Sequence, residues 1–183
     1  LEESNELLKR LETNPDMPLF TSCCPAWVLY CEKHHPELLP HRSTCRSPMQ
    51  MFASVIKEQY STSSRRVVHV AVMPCTAKKF EAARPEMNAS GYRDVDLVLT
   101  TREVGRLFQM AGLDFTKLQP SKFDSWMGKY TGAAVIFGAT GGVMEAALRT
   151  VYEVVTKQTL EDVNFTAVRG MEGIKEAEVD LNG

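Results

Sequence analysis

Long apolar runs are missing from this chain: none approaches the ~20 residues that a membrane-spanning helix requires. Basic runs are missing too. With a net charge of −2 and no interleaving of basic with aromatic residues, a nucleic-acid surface is excluded. No C-x2-C pair is present, so the common zinc spacings are out, and His34 and His35, as helical neighbours, cannot both face one metal. The glycine-rich stretch FGATGG (residues 137–142) has neither the spacing nor the lysine of a phosphate loop, and G-x-x-G-G is not the dinucleotide fingerprint. Its glycines are expected to permit a tight turn with close backbone approach. No internal repeat, low-complexity tract or signal peptide is visible.

What is present is a chain of 183 residues, 44% hydrophobic and 24% charged, the make-up of an ordinary soluble globular protein. Its five cysteines (Cys23, Cys24, Cys31, Cys45 and Cys75) form an odd set without a disulfide framework. That favours reduced thiols or metal ligation over a secreted scaffold.

Apolar periodicity predicts a helix over LEESNELLKRLETN, with Leu7, Leu8 and Leu11 on one face and Glu3, Glu6 and Arg10 on a neighbouring stripe. LFTS reads as a short strand, and Pro25 starts a helix through AWVLYCEKH. Another helix runs from Pro48 to Tyr60, followed by the turn STSSRR. VVHVAVM reads as a buried parallel strand running into a helix headed by Pro74. VDLVLT is a second strand, and Thr100 with Glu103 fits a capping box that opens a helix burying Val104, Leu107, Phe108 and Ala111. Gly112 stops that helix. AAVIFG reads as a third strand, VMEAALRTVYEVV as a helix, and NFTAVRG with IKEAEVDL as a terminal antiparallel pair. Alternation of strands with helices predicts an α/β fold with mainly parallel sheets flanked by helices.

Two cysteine motifs fall where strands give way to helices, the place where ligands gather in such folds. They are FTSCCPAW, with Cys23 and Cys24 side by side, and MPCTAKKFE, with Cys75 after Pro74. A vicinal disulfide would be strained. The alternatives are buried thiols, or a metal ligand beside a thiol with another task. Helix-start amides favour thiolate over thiol, and two Pro–Cys junctions of this kind favour the functional reading. Cys31 and Cys45 read as structural. His41 or His69 paired with a cysteine is an alternative nucleophilic arrangement, but both are expected to be satisfied surface or core histidines. Lys78 and Lys79 follow Cys75 within a turn, and Glu81 is a natural ion-pair partner.

Taken together, FTSCCPAW, MPCTAKKFE and FGATGGVMEAALR resemble the [FeFe]-hydrogenases, a likeness that HPELLP…SP and DVDLVLTTRE extend over the whole chain. The resemblance implies a two-lobed hydrogenase-like fold and an H-cluster: a [4Fe–4S] cube joined through a cysteine sulfur to a diiron unit with carbon monoxide, cyanide and a bridging dithiolate. It makes Cys24 and Cys75 two of the four cube ligands and Cys23 the thiol that passes protons to the diiron unit. The implied proton path continues through a glutamate, a serine and a second glutamate, positions that Glu3, Glu6 and Ser43 match, with Arg10 at its outer end. Lys78 matches the lysine that hydrogen-bonds a cyanide, and Pro48, Met73, Phe137 and Gly138 match the cavity lining. Many members have glutamine after the Ser–Pro, where this chain has Met49 and then Gln50. A third motif, carrying the other two cysteine ligands, is not found in residues 1–183, so the chain reads as an internal fragment of the catalytic domain, inactive by itself. The resemblance further implies reversible reduction of protons to dihydrogen, ferredoxin or a similar carrier as electron donor, and further [4Fe–4S] or [2Fe–2S] clusters elsewhere. It also implies maturation factors that insert the diiron unit, and a cytoplasmic setting, with periplasm or hydrogenosome left open. The competing classes are a non-catalytic relative serving iron–sulfur protein assembly and a hydrogen-sensing homologue.

Overall fold

The computed structural model describes the chain except residues 15–17, 63, 126, 130–131, 161–165, 168–170, 172 and 182–183. It divides into two compact units, one of Phe20–Pro120 and one of Leu1–Leu19 with Ser121–Gly183.

In the unit Phe20–Pro120 the elements run α2 (Pro25–His34), α3 (Pro48–Tyr60), β1 (Val70–Met73), α4 (Ala77–Ala83), β2 (Leu97–Thr100) and α5 (Thr101–Met110). α1 (Glu2–Thr13) belongs to the other unit. Proline heads α2 and α3, where its missing N–H costs nothing and its fixed φ suits a helix start. β1 and β2 pair in parallel, Val70 with Leu97 through Met73 with Thr100. Phe20 makes a single parallel bridge with Arg42, which is all that the predicted LFTS strand becomes.

The core joins Met49 and Ala53 of α3, Ala71 of β1, Ala82 of α4, and Val95 and Val98 beside and within β2. Its side chains are small, and buried ion pairs supplement it. Lys57, 2% exposed, pairs with Asp96 at 2.6 Å and also donates to the carbonyl of Arg93. Burial pushes the Asp96 carboxyl up, but the Lys57 ammonium and the His69 N–H outweigh it and hold the group below its ordinary value. Asp94, fully buried, gathers Arg46, the N–H groups of Ala89 and Ser90, and the Ser90 hydroxyl.

Three expectations in this unit need correction. The helix after β1 starts at Ala77, not Pro74, because Cys75 C=O accepts from Lys78 N–H in a tight turn that delays regular winding. The strands occupy only the second part of VVHVAVM and the last four residues of VDLVLT. No residue of α5 is buried: Val104 and Phe108 are half-covered, whereas Leu107 and Ala111 are exposed. Phe108 meets the Phe115 ring edge-on at 5.1 Å.

The second unit contains α1, α6 (Gly132–Ile136), α7 (Gly142–Thr156), β3 (Thr166–Ala167) and β4 (Lys175–Glu176). α1 packs on α7, and Ser4, 2% exposed, directs its hydroxyl at the Ala147 carbonyl. The AAVIFG strand is overturned, since Gly132–Ile136 is helical. A short apolar run does not separate strand from helix by itself, and the alanine pair favours the helix. Gly141 takes φ +81°, and a Cβ at Gly142 would run into the Ile136 carbonyl, so the tight turn is set by the preceding helix end. β3 and β4 are antiparallel, as expected; the rest of NFTAVRG lies outside the described residues.

The capping box at α5 is fully formed. Thr100 Oγ1 accepts from Glu103 N–H at 3.2 Å, and Thr100 N–H donates back to Glu103 Oε2 at 2.7 Å. Lys79, together with the Thr100 amide and hydroxyl, holds the Glu103 carboxyl at about 2, against an ordinary 4.5. A carboxyl with a depressed folded pKa adds stability above its unfolded pKa and loses it as pH falls through the folded value. Amide protection factors across α5, taken against intrinsic rates at each pH, should therefore fall between pH 4.5 and about 2, and Glu103→Gln should remove that dependence. Thr100→Ala should cost about 1 kcal/mol in denaturant unfolding.

Candidate metal centre

Cys24 is the N-cap of α2, with extended φ −87° and ψ 112°, and its N–H donates to Ser22 Oγ at 3.0 Å. The serine hydroxyl thus closes a local turn that sets the cysteine backbone just ahead of Pro25. Cys75 lies between the end of β1 and the N-cap of α4, Thr76. Cys23, Cys24 and Cys75 all present exposed thiols, whereas Cys31 is buried in α2 and Cys45 is half-covered. The structural reading of Cys31 is consistent with its 2% exposure.

Lys78 connects the two cysteine segments. It is 8% exposed and donates to the Cys23 carbonyl at 2.6 Å and to Glu81 Oε2 at 2.6 Å. Cys75 is not helical, so the lysine shares no helix face with it and reaches across to the segment just before α2. Met73 ends β1 and packs on the core, Pro48 sits exposed at the first position of α3, and Ser43 is 5% exposed with its Oγ accepting from Cys45 N–H. These residues, with Cys23, Cys24, Cys75 and Lys78, belong to the same unit.

The remaining candidates belong to the other unit. Arg10 grips Glu6 Oε1 through Nε at 3.0 Å and Nη2 at 2.8 Å. Burial, then the neighbouring Glu6 charge, push the Glu3 carboxyl up against the pull of the amino terminus. Phe137 and Gly138 are exposed, and a Cβ at Gly138 would meet only ordinary contact at 3.5 Å. The alternative bases are packed rings: His41 lies against Phe20, and His69 meets Phe52 edge-on. Burial and then Lys57 lower the His69 pKa.

Two features escaped the sequence reading. Glu32 of α2 is held by Arg84 through a two-pronged ion pair, at 2.7 and 2.9 Å. No local spacing signals a pair 52 positions apart. At the head of α3, the Ser47 hydroxyl and both amide atoms of Gln50 are buried without a hydrogen-bond partner among the described residues. Their S-x-x-Q spacing resembles a capping box, yet no side-chain cap forms.

Among the described residues no group of three or more His, Cys, Asp or Glu side chains converges. The chemistry of the set still fits an iron–sulfur group: two exposed thiols at helix starts, a buried ammonium tying their segments, and orphaned polar atoms beside Pro48.

Comparison with known proteins agrees. All of residues 1–183 match the family described as iron only hydrogenase large subunit, C-terminal domain. The chain is 52% identical over 188 residues to the periplasmic [Fe] hydrogenase large subunit of Nitratidesulfovibrio vulgaris, an alignment covering 100% of this chain and 45% of that protein. It is 36% identical over 163 residues to cytosolic iron-sulfur assembly component 3 of Bos taurus, covering 81% of this chain and 34% of that one. A solved apo [FeFe]-hydrogenase from Chlamydomonas reinhardtii superposes with a TM-score of 0.78 at 43% identity, over 95% of this chain and 45% of that chain. The chain belongs to the iron-only hydrogenase large-subunit family, and the α/β hydrogenase-like fold is borne out. It spans less than half the length of these curated relatives.

Under native conditions Cys23, Cys24 and Cys75 should alkylate at the rate of open thiols, while Cys31 reacts only on unfolding; peptide mass spectrometry after timed labelling checks this. Glu6→Gln should bring the Glu3 carboxyl down toward its ordinary value, read by carbon-detected NMR titration.

Proposed function

We propose that this chain forms part of the catalytic domain of an [FeFe]-hydrogenase, in which Cys24 and Cys75 ligate a [4Fe–4S] cube and Cys23 carries protons. The observation that supports this most is the buried Lys78, which ties the Cys75 turn to the Cys23 carbonyl and so brings both cysteine motifs to one place. When bound, the H-cluster supplies the redox iron at which two protons and two electrons combine to dihydrogen, or the reverse.

The chain's own residues have separable tasks. The Cys24 and Cys75 sulfurs hold the cube. Cys23 Sγ holds and releases one proton, next to a ligand residue, where delivery is needed. Ser43 in its own unit, and Glu6 and Glu3 in theirs, are the further relay groups of the path, and burial with the Glu6 charge pushes the Glu3 carboxyl above its ordinary value. Arg10 keeps Glu6 oriented. Glu81 and the Cys23 carbonyl occupy two of the three Lys78 donors and leave one for a cyanide ligand. By the family resemblance, Pro48 and Met73 in one unit and Phe137 and Gly138 in the other are assigned as wall residues around the cluster. Ferredoxin or a similar carrier supplies electrons, and maturation factors insert the diiron unit.

In the full-length protein, Cys23→Ala should lower hydrogen evolution by about 100-fold or more while carbon monoxide and cyanide infrared bands persist. Unchanged activity would refute the relay. An unmodified protein that carries a cube but never those bands after maturation would favour the iron–sulfur assembly reading, which the likeness to the Bos taurus component keeps in view.

A further inference from the structure

The Glu32–Arg84 fork lies at an informative place. Arg84 Nη2 donates to Glu32 Oε1 at 2.7 Å and Nη1 to Oε2 at 2.9 Å, with the side chains 21% and 26% exposed. Glu32 is in the last turn of α2, whose N-cap is Cys24. Arg84 is the C-cap of α4, which begins just past Cys75. The fork therefore joins the far ends of two packed helices whose near ends carry the two candidate ligands. At the near ends, Lys78 ties α4 to the Cys23 carbonyl.

One tie leaves two helices free to pivot or slide about it. A second tie at the opposite end removes that freedom, and a planar two-pronged pair also resists rotation, as a single ammonium contact does not. The fork is itself braced. Glu32 meets Arg42 at 3.7 Å, and Arg42 pairs with Phe20 in the bridge that leads into Cys23. Arg84 Nε also donates to Glu86.

We propose that Glu32 and Arg84 are positioning residues that set the separation and relative orientation of Cys24 and Cys75, so that both sulfurs reach one iron–sulfur cube. The proposal rests on the ligand reading of those cysteines. Neither residue touches the cube; each acts through its helix. Groups that orient metal ligands without binding the metal are costly to remove.

The test uses the full-length protein reconstituted with iron and sulfide. Arg84→Ala should lose its cube to a ferrous chelator about tenfold faster than the unmodified protein, with a broadened EPR signal from the reduced cube. Arg84→Lys, which keeps the charge but not the fork, should fall between the two. Glu32→Ala should match Arg84→Ala, and the double variant should be no worse than either, since the two act as one unit.

In the metal-free protein, spin labels on Cys24 and Cys75, with every other cysteine of the full-length protein replaced by serine, should give a narrow distance distribution. Arg84→Ala should broaden it without loss of helical circular dichroism, a change that a general loss of stability would not produce. Should Arg84→Ala unfold, Arg84→Lys carries the same readouts. An unchanged chelation rate and distance distribution, or additive losses in the double variant, would overturn the proposal. Cys24→Ala and Cys75→Ala test the ligand reading separately. A complete cube in either refutes that reading, whereas cube loss in both beside a wild-type-like Arg84→Ala refutes the clamp alone.

Discussion

The ammonium group of Lys78 is withdrawn from water and must find its hydration replaced inside the protein. A buried cation is tolerated only when a counter-charge and hydrogen-bond acceptors meet it with good geometry. Glu81, one helical turn on and itself 5% exposed, supplies the charge, and the Cys23 carbonyl supplies an acceptor. Satisfying this one group obliges the segment before α2 to lie against the start of α4. The two cysteine motifs are 51 positions apart in the chain (75 − 24) and are brought together by that requirement.

The rest of the unit Phe20–Pro120 follows the same logic. Apart from Met49 its core side chains are alanines and valines that bury little area each, so α3, α4 and the β1–β2 pair approach closely but gain modestly from apolar contact. Paired charges connect what that core leaves loose: Lys57 with Asp96, Arg46 with Asp94, and Arg84 with Glu32. Such pairs are weak sources of net stability, yet each demands a particular geometry. A site that must hold sulfur atoms at fixed spacing benefits from that kind of constraint. The Gln50 amide and Ser47 hydroxyl, without partners among the described residues, stand out against this background, because nearly all buried polar groups in proteins have partners. Their place at the head of α3, beside Pro48, is where the proposed cluster cavity has its wall.

Much was legible from local pattern. Helices at α1, α2, α3, α5 and α7 were marked by period, by proline at the first turn, or by the capping box, all of which act within a few residues. The tight turn at Gly141–Gly142 was legible too, because positive φ and a missing Cβ are properties of single residues. What failed was locally ambiguous or was set by distant contacts. Residues 132–136 are apolar enough for either state, and a two-alanine run winds into helix where no strand partner is described. The start of α4 slipped three residues, from Pro74 to Ala77, because the turn at Cys75 serves a contact 55 positions away.

The cysteine motifs made the family recognisable from sequence alone, because such motifs are local, and it is that resemblance that marked Cys24 and Cys75 as candidate ligands. Only the tertiary structure decided that Lys78 reaches the Cys23 carbonyl, that Glu32 and Arg84 interlock, and that Gln50 is buried without a partner among the described residues. Each of these is a pairing, or a failed pairing, between groups far apart in the chain. Burial decides them, and burial is a property of the folded packing that no window of sequence contains.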